Sequence, residues 1–152
     1  MSRELSIQEA NQSLKKLMVG KFIARFTTGN VWTLMLDDDE LRLSFHAMTF
    51  PLKDALVQRL SDFNPELLNC PDSEDVAWAA MLAAVTRREI TSATVDDQAQ
   101  INLSFEGGIE VTVSTDANIV DWQWCIGRSE VNHPYTSPFE IACFWKGEIR
   151  GS

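Results

Sequence analysis

Two long stretches of this chain have no basic residue at all. From Leu60 to Thr86 there are five carboxylates (Asp62, Glu66, Asp72, Glu74, Asp75) and no Lys or Arg. From Glu89 to Gly127 there are seven more (Glu89, Asp96, Asp97, Glu106, Glu110, Asp116, Asp121), again with no cation among them. The net charge of −9 is concentrated there. Such a surface repels nucleic acid and anionic membrane and favours a basic partner. Histidine, the usual carrier of proton transfer near neutral pH, occurs twice, as His46 and His133. The three cysteines (Cys70, Cys125, Cys143) form no CxxC pair, which excludes a disulfide framework and a zinc site of short ligand spacing. No phosphate-cradling glycine loop, dinucleotide fingerprint or nucleophile elbow occurs, so no cofactor is expected. The longest apolar run, Val76 to Val85, is about half of what spans a bilayer, and the N-terminus lacks an apolar signal core. These absences predict a cytoplasmic protein.

What is present is ordinary for one globular domain over residues 1–152, with 45% apolar and 23% charged residues. Ser6-Ile7-Gln8-Glu9 reads as a capping box, and Ile7, Ala10, Leu14 and Leu17 recur at helical spacing before Gly20. The period then becomes two. Phe22, Ala24 and Phe26 share a strand face, followed by Trp32, Leu34 and Leu36, then Leu41, Leu43 and Phe45. Pro51 suits a first helical position, with Leu52, Leu56, Leu60 and Phe63 as the stripe of a second helix. Val76–Val85 is apolar on every side, which predicts a helix buried all round, in the core or in a homodimer interface.

A second three-strand meander follows: Ala93 and Val95, then Ile101, Leu103 and Phe105, then Ile109, Val111 and Val113. Either two alternating hairpins resemble one another by pattern alone, or residues 21–48 and 89–116 are an internal duplication. Val120, Trp122, Trp124 and Ile126 on one face, and then Phe139, Ile141, Cys143 and Trp145, give two more strands. The predicted class is α+β, mostly antiparallel, with about eight strands in two meanders, an N-terminal helix and two central helices.

Candidate contacts with a basic partner are the turn acids Asp37, Asp38, Asp39 and Glu40 of the first meander and Asp96, Asp97 and Glu106 of the second. Asp37–Glu40 lacks the alternating order of a calcium loop and reads as a solvated turn. Trp145 is the tryptophan best placed to be an exposed anchor. Loop 127–138 holds the one tyrosine, Tyr135, with His133 and two prolines, and suits recognition of a partner or small ligand. Nothing in the spacing brings the two histidines together, and Cys125 and Cys143 read as packing residues. An enzymatic or ligand-binding domain with a pocket near this loop is the alternative to a binding module.

The stretch Leu103-Ser-Phe-Glu-Gly-Gly-Ile-Glu-Val-Thr-Val through Asp121-Trp122 resembles small cytoplasmic bacterial toxin-immunity-type proteins, over roughly residues 20–126. The resemblance rests on alternation and one turn. It implies a non-enzymatic binder whose acidic surface occludes a basic toxin, commonly a nuclease, and it transfers no obligatory contact residue.

Overall fold

The computed structural model describes residues 2–37, 40–68, 73–118 and 120–151. Among these residues it shows an α+β arrangement of three α-helices and eleven strands. After the short β1 (Arg3–Glu4), Ser6 caps α1 (Ile7–Met18) by accepting the Glu9 amide at 3.1 Å, and the helix buries Ala10, Leu14 and Met18. The first meander is β2 (Ile23–Thr27), β3 (Trp32–Leu36) and β4 (Arg42–Phe45). Then come β5 (Met48–Thr49), α2 (Lys53–Phe63) and α3 (Ser73–Val85). The second meander is β6 (Ile90–Val95), β7 (Ile101–Phe105) and β8 (Ile109–Val113), and β9 (Trp122–Gly127), β10 (Ile141–Phe144) and β11 (Ile149–Gly151) close the chain.

The meanders enter different sheets. One has seven strands in the order β1-β11-β10-β9-β4-β3-β2, the other four in the order β5-β8-β7-β6, and every pairing is antiparallel. The extra strands beyond eight are the short β1, β5 and β11, too brief to show a period. Their registers match in part. Leu34 faces Leu43 and Trp32 faces Phe45, as Leu103 faces Val111 and Ile101 faces Val113. One cluster of buried side chains takes in both sheets with α1 and α3. No helix among the described residues is long and apolar enough to cross a membrane.

Four expectations are corrected. On β2 a register shift between Ile23 and Arg25 turns Ile23 into the core and leaves Ala24 exposed, so Phe22, Ala24 and Phe26 are not one inward face. A second shift, between Cys143 and Phe144, sets Trp122 opposite Phe144 and Trp124 opposite Cys143. Gln123 is thereby absorbed as an extra residue, and Trp124 joins the main core while Trp122 packs with Cys125 and Ala142. In the second helix, Pro51 and Leu52 precede the first turn, Leu52 has φ 65°, and both Leu52 and Phe63 are exposed. Only Leu56, Val57 and Leu60 reach the core from α2. Finally, α3 is not buried all round. Ala77, Trp78, Leu82 and Val85 face inward, and Ala83 and Ala84 face solvent. Alanine exposes little apolar area and is the best helix former, so an all-apolar run can surface through its alanines.

Candidate functional site

The seven-stranded sheet has a second face, which Arg42, Ser44 and Cys125 share opposite Leu43, Phe45 and Trp124. Loop 128–140, between β9 and β10, lies on it. The loop is held by Asn132, a buried amide whose Nδ2 donates to Cys125 O (2.8 Å), Ser44 Oγ (3.1 Å) and Arg42 O (3.2 Å). The Cys125 thiol donates to Asn132 Oδ1 at 3.4 Å. Burial pushes the Cys125 and Cys143 thiols up to about 12, so neither is a thiolate nucleophile at neutral pH. Thr136 and Ser137 amides donate to His133 O, and Ser137 Oγ donates to Val131 O.

Because loop 128–140 folds back over the face that His46 continues from Arg42 and Ser44, the two histidines meet one indole. Trp122 lies 4.5 Å from the His46 ring and 5.5 Å from the His133 ring, centroid to centroid. The ring contacts run on from His133 to Tyr135 (5.9 Å), Tyr135 to Phe144 (5.3 Å) and Phe144 to Phe139 (6.0 Å). The expectation that nothing unites the histidines is therefore wrong. Neither half of this arrangement is visible in sequence spacing. It depends on the extra residue at Gln123, which turns Trp122 outward, and on the loop docking through Asn132. His133 Nδ1 accepts the Tyr135 amide at 3.2 Å, and His46 Nε2 is buried with no hydrogen-bond partner among the described residues.

Burial holds His46 below its ordinary 6.5. A hydrogen bond with the Asn30 backbone works against that shift, and the charge of His133 works with it. A histidine whose pKa is lowered in the folded state makes its full contribution above 6.5, where the imidazole is neutral in folded and unfolded chains alike. Below 6.5 the unfolded chain takes up the proton first, so this contribution is lost as pH falls through the folded value. The urea midpoint should decline between pH 7 and 5, and His46→Phe, which keeps the ring against Trp122, should flatten that decline. An identical slope in wild type and variant would remove His46 as its cause.

The exposed end of this ring series opens onto a concave surface. Trp145 begins a 3-10 turn, Trp145–Gly147, and is 48% exposed; Tyr135 is 59% exposed. Three adjoining depressions share Trp145 as a wall. The central one, about 350 Å³, is lined by Trp145, Tyr135, Asp121, Asn118 and Val120. On one side lie Asp97, Gln98, Thr115 and Asp116, and on the other Pro134, Phe139, Phe144, Glu148 and Arg150. All three are open grooves rather than the deep pocket a small-ligand domain would need.

The walls are fixed by hydrogen bonds. The Trp145 amide donates to Asp121 O at 2.9 Å and the Tyr135 hydroxyl to the same oxygen at 3.5 Å. Trp124 Nε1 donates to Ala99 O (2.8 Å), Thr115 Oγ1 to Gln98 O (2.7 Å) and Gln123 Nε2 to Ala117 O (3.1 Å). Asp121, Asp116 and Asp97 are exposed. Arg150 is engaged, donating to Glu148 Oε1 at 2.8 Å and to Ser2 O and Oγ at 3.0 and 3.1 Å. Its charge is thus partnered within the chain, whereas Asp97, Asp116 and Asp121 form no ion pair among the described residues.

The sequence candidates divide between two ends of the molecule. Asp97, Trp145 and Tyr135 line this surface, and His133 lies directly behind it. Asp37, Glu40 and Glu106 lie elsewhere. The Asp37 amide bonds Phe22 O, Phe22 bridges Glu89, and the Glu106 amide bonds Glu89 O, which places these turns together at the other end of the sheets. There the acids are interleaved with Arg87 and Arg88, the latter donating to Glu106 O at 3.3 Å. Asp38 and Asp39 lie outside the described residues. Asp96 is not a free contact. Its carboxylate accepts from the Gln98 and Gln100 amides and from the side chains of Gln100 and Asn102. Desolvation opposes ionisation there, yet these hydrogen bonds outweigh it and hold the carboxyl below its ordinary 3.8. Asp96 shapes the β6–β7 turn, and its neighbour Asp97 faces out.

Sequence reasoning missed Asp116 and Asp121, because isolated aspartates in an acidic chain carry no pattern. Among the described residues no group of three His, Cys, Asp or Glu side chains converges as a metal site would require. No family model, curated protein or solved structure matches this chain.

Proposed function

We propose that this chain is a non-enzymatic, acidic protein-binding module of the immunity type, which neutralises a basic, nuclease-type toxin in the cytoplasm by occluding it. The observation that carries the reading is the surface around Trp145 and Tyr135. Two large exposed aromatics stand beside three exposed aspartates, on a backbone braced by Trp124, Thr115 and Gln123. Aromatic anchors with a charged rim are how protein interfaces divide their work: the rings slow dissociation and the charges speed encounter. The groups that chemistry would call on serve packing here. His46 packs tilted and His133 edge-on against Trp122, and both described cysteines are buried thiols.

The test is binding to the protein encoded immediately upstream, titrated at low and high salt, together with an assay of that protein's toxicity. The expected result is a tight 1:1 complex that abolishes toxicity and associates more slowly as salt rises. A neighbour that is neither bound nor neutralised would overturn the reading.

A further inference from the structure

We infer that the recess between Trp145 and Tyr135 receives an arginine side chain of the partner, and that the partner residue beside it is apolar and lies over Phe139 and Phe144. This rests on the protein-binding reading above and adds the chemistry of what is bound. The recess has two exposed ring systems and one carboxylate, Asp121, gathered by the hydrogen bonds that Trp145 and Tyr135 both make to the Asp121 carbonyl. A cation over an indole or phenol face is attracted by the ring quadrupole, and a guanidinium does this while pairing with a carboxylate in its own plane. An ammonium offers no flat face and holds its water more tightly, so the site favours arginine over lysine.

The flanking depressions set the direction of the segment. Towards Asp97 and Asp116 the surface is anionic, which suits further positive charge. On the other side the half-buried rings of Phe139 and Phe144 offer apolar surface beside Ser2 and the Glu148–Arg150 pair. An extended segment lying across Trp145 thus places its arginine in the centre, an apolar residue on one side and basic residues on the other. The acidic chain, at −9, and the internal partnering of Arg150 supply the charge complementarity.

The test titrates the full-length protein, labelled with ¹⁵N, with capped peptides Lys-Arg-Leu, Lys-citrulline-Leu and Lys-Lys-Leu, following the tryptophan indole signals by NMR. Trp145→Phe identifies its own signal. The Arg peptide should shift the Trp145 indole and bind roughly 10-fold more tightly than the citrulline peptide, with lysine between them. Asp121→Asn should weaken the Arg peptide roughly 5-fold and leave the citrulline peptide unchanged. Equal binding of Arg and citrulline peptides, or shifts that spare Trp145, would overturn the inference. It is separable from the immunity reading. A recess that selects arginine in a protein that neutralises no toxin keeps this inference and removes that reading. Neutralisation that survives Trp145→Ala combined with Tyr135→Ala does the reverse. All these side chains are exposed, so the variants should fold, and unchanged dispersion of the remaining amide signals is the control.

Discussion

Trp124→Ala should destabilise the protein by about 3–5 kcal/mol, a large part of the roughly 5–15 kcal/mol that holds a domain together. The indole is fully buried on β9, between Phe45 of β4 and Cys143 of β10 in register. Truncation there opens a cavity in the one cluster that takes in both sheets. The indole also does something a hydrocarbon cannot. Its Nε1 donates to Ala99 O at 2.8 Å, fastening the β6–β7 turn of the four-stranded sheet to the seven-stranded one. Trp124→Phe separates the two roles, since it keeps most of the packing and strands a buried carbonyl. It should lose about 1–3 kcal/mol. Urea titrations with unchanged slope would give both values. A Phe variant as stable as wild type would show that the carbonyl finds another donor and that the turn is held by packing alone. The turn carries Asp97, and Asp97 and Ala99 line the same depression as Trp145 and Gly147. Loss of the Trp124 hydrogen bond should therefore also loosen the recess.

The longer elements were legible because each satisfies a local rule, whereas the two- and three-residue strands β1, β5 and β11 satisfy none. Ser6 and Glu9 announce the start of α1, and Gly20, with φ 88°, ends it. Alternation marks β3, β7 and β8 residue for residue, and the buried set Trp32, Leu34, Leu36, Leu103, Val111 and Val113 follows from it. What escaped were events of one residue. The shifts at β2 and β9 reverse the faces of the side chains beyond them, and periodicity assumes that no such shift occurs. Trp122 and Trp124 look like partners on one face, and the extra residue at Gln123 sends them to opposite sides. The candidate site was legible as residue types, Trp145, Tyr135 and Asp97, but not as a place. Its assembly needs the β6–β7 turn, the loop after β8, loop 128–140 and the chain end to converge, and no local pattern encodes convergence. Asp96 and Asp97 show the same limit. They are adjacent and identical in sequence, yet one staples its own turn and the other faces solvent.

That division of the acids sets the second large effect. Reversing Asp97, Asp116 and Asp121 to Lys should slow association with the proposed basic partner by roughly 10- to 1,000-fold at low salt and flatten its salt dependence. Reversing Asp37, Glu40 and Glu106 changes net charge by the same amount at the other end of the sheets, among Arg87 and Arg88. If steering depended on total charge alone, the two triple variants would slow equally. At 0.1 M salt, where exposed charges more than about 10 Å apart are largely screened, the local field at the recess should dominate, and the second variant should there associate within a few-fold of wild type. Stopped-flow association at two salt concentrations distinguishes these outcomes, and it remains informative if both variants bind more weakly. Trp145→Ala is the complement. It removes no charge, so its effect should fall on dissociation, with association nearly unchanged. Equal slowing by both triple variants would show that steering depends on total charge and not on the local field at the Trp145 surface. Slowing confined to the first would tie the encounter to the three aspartates around Trp145 and Tyr135.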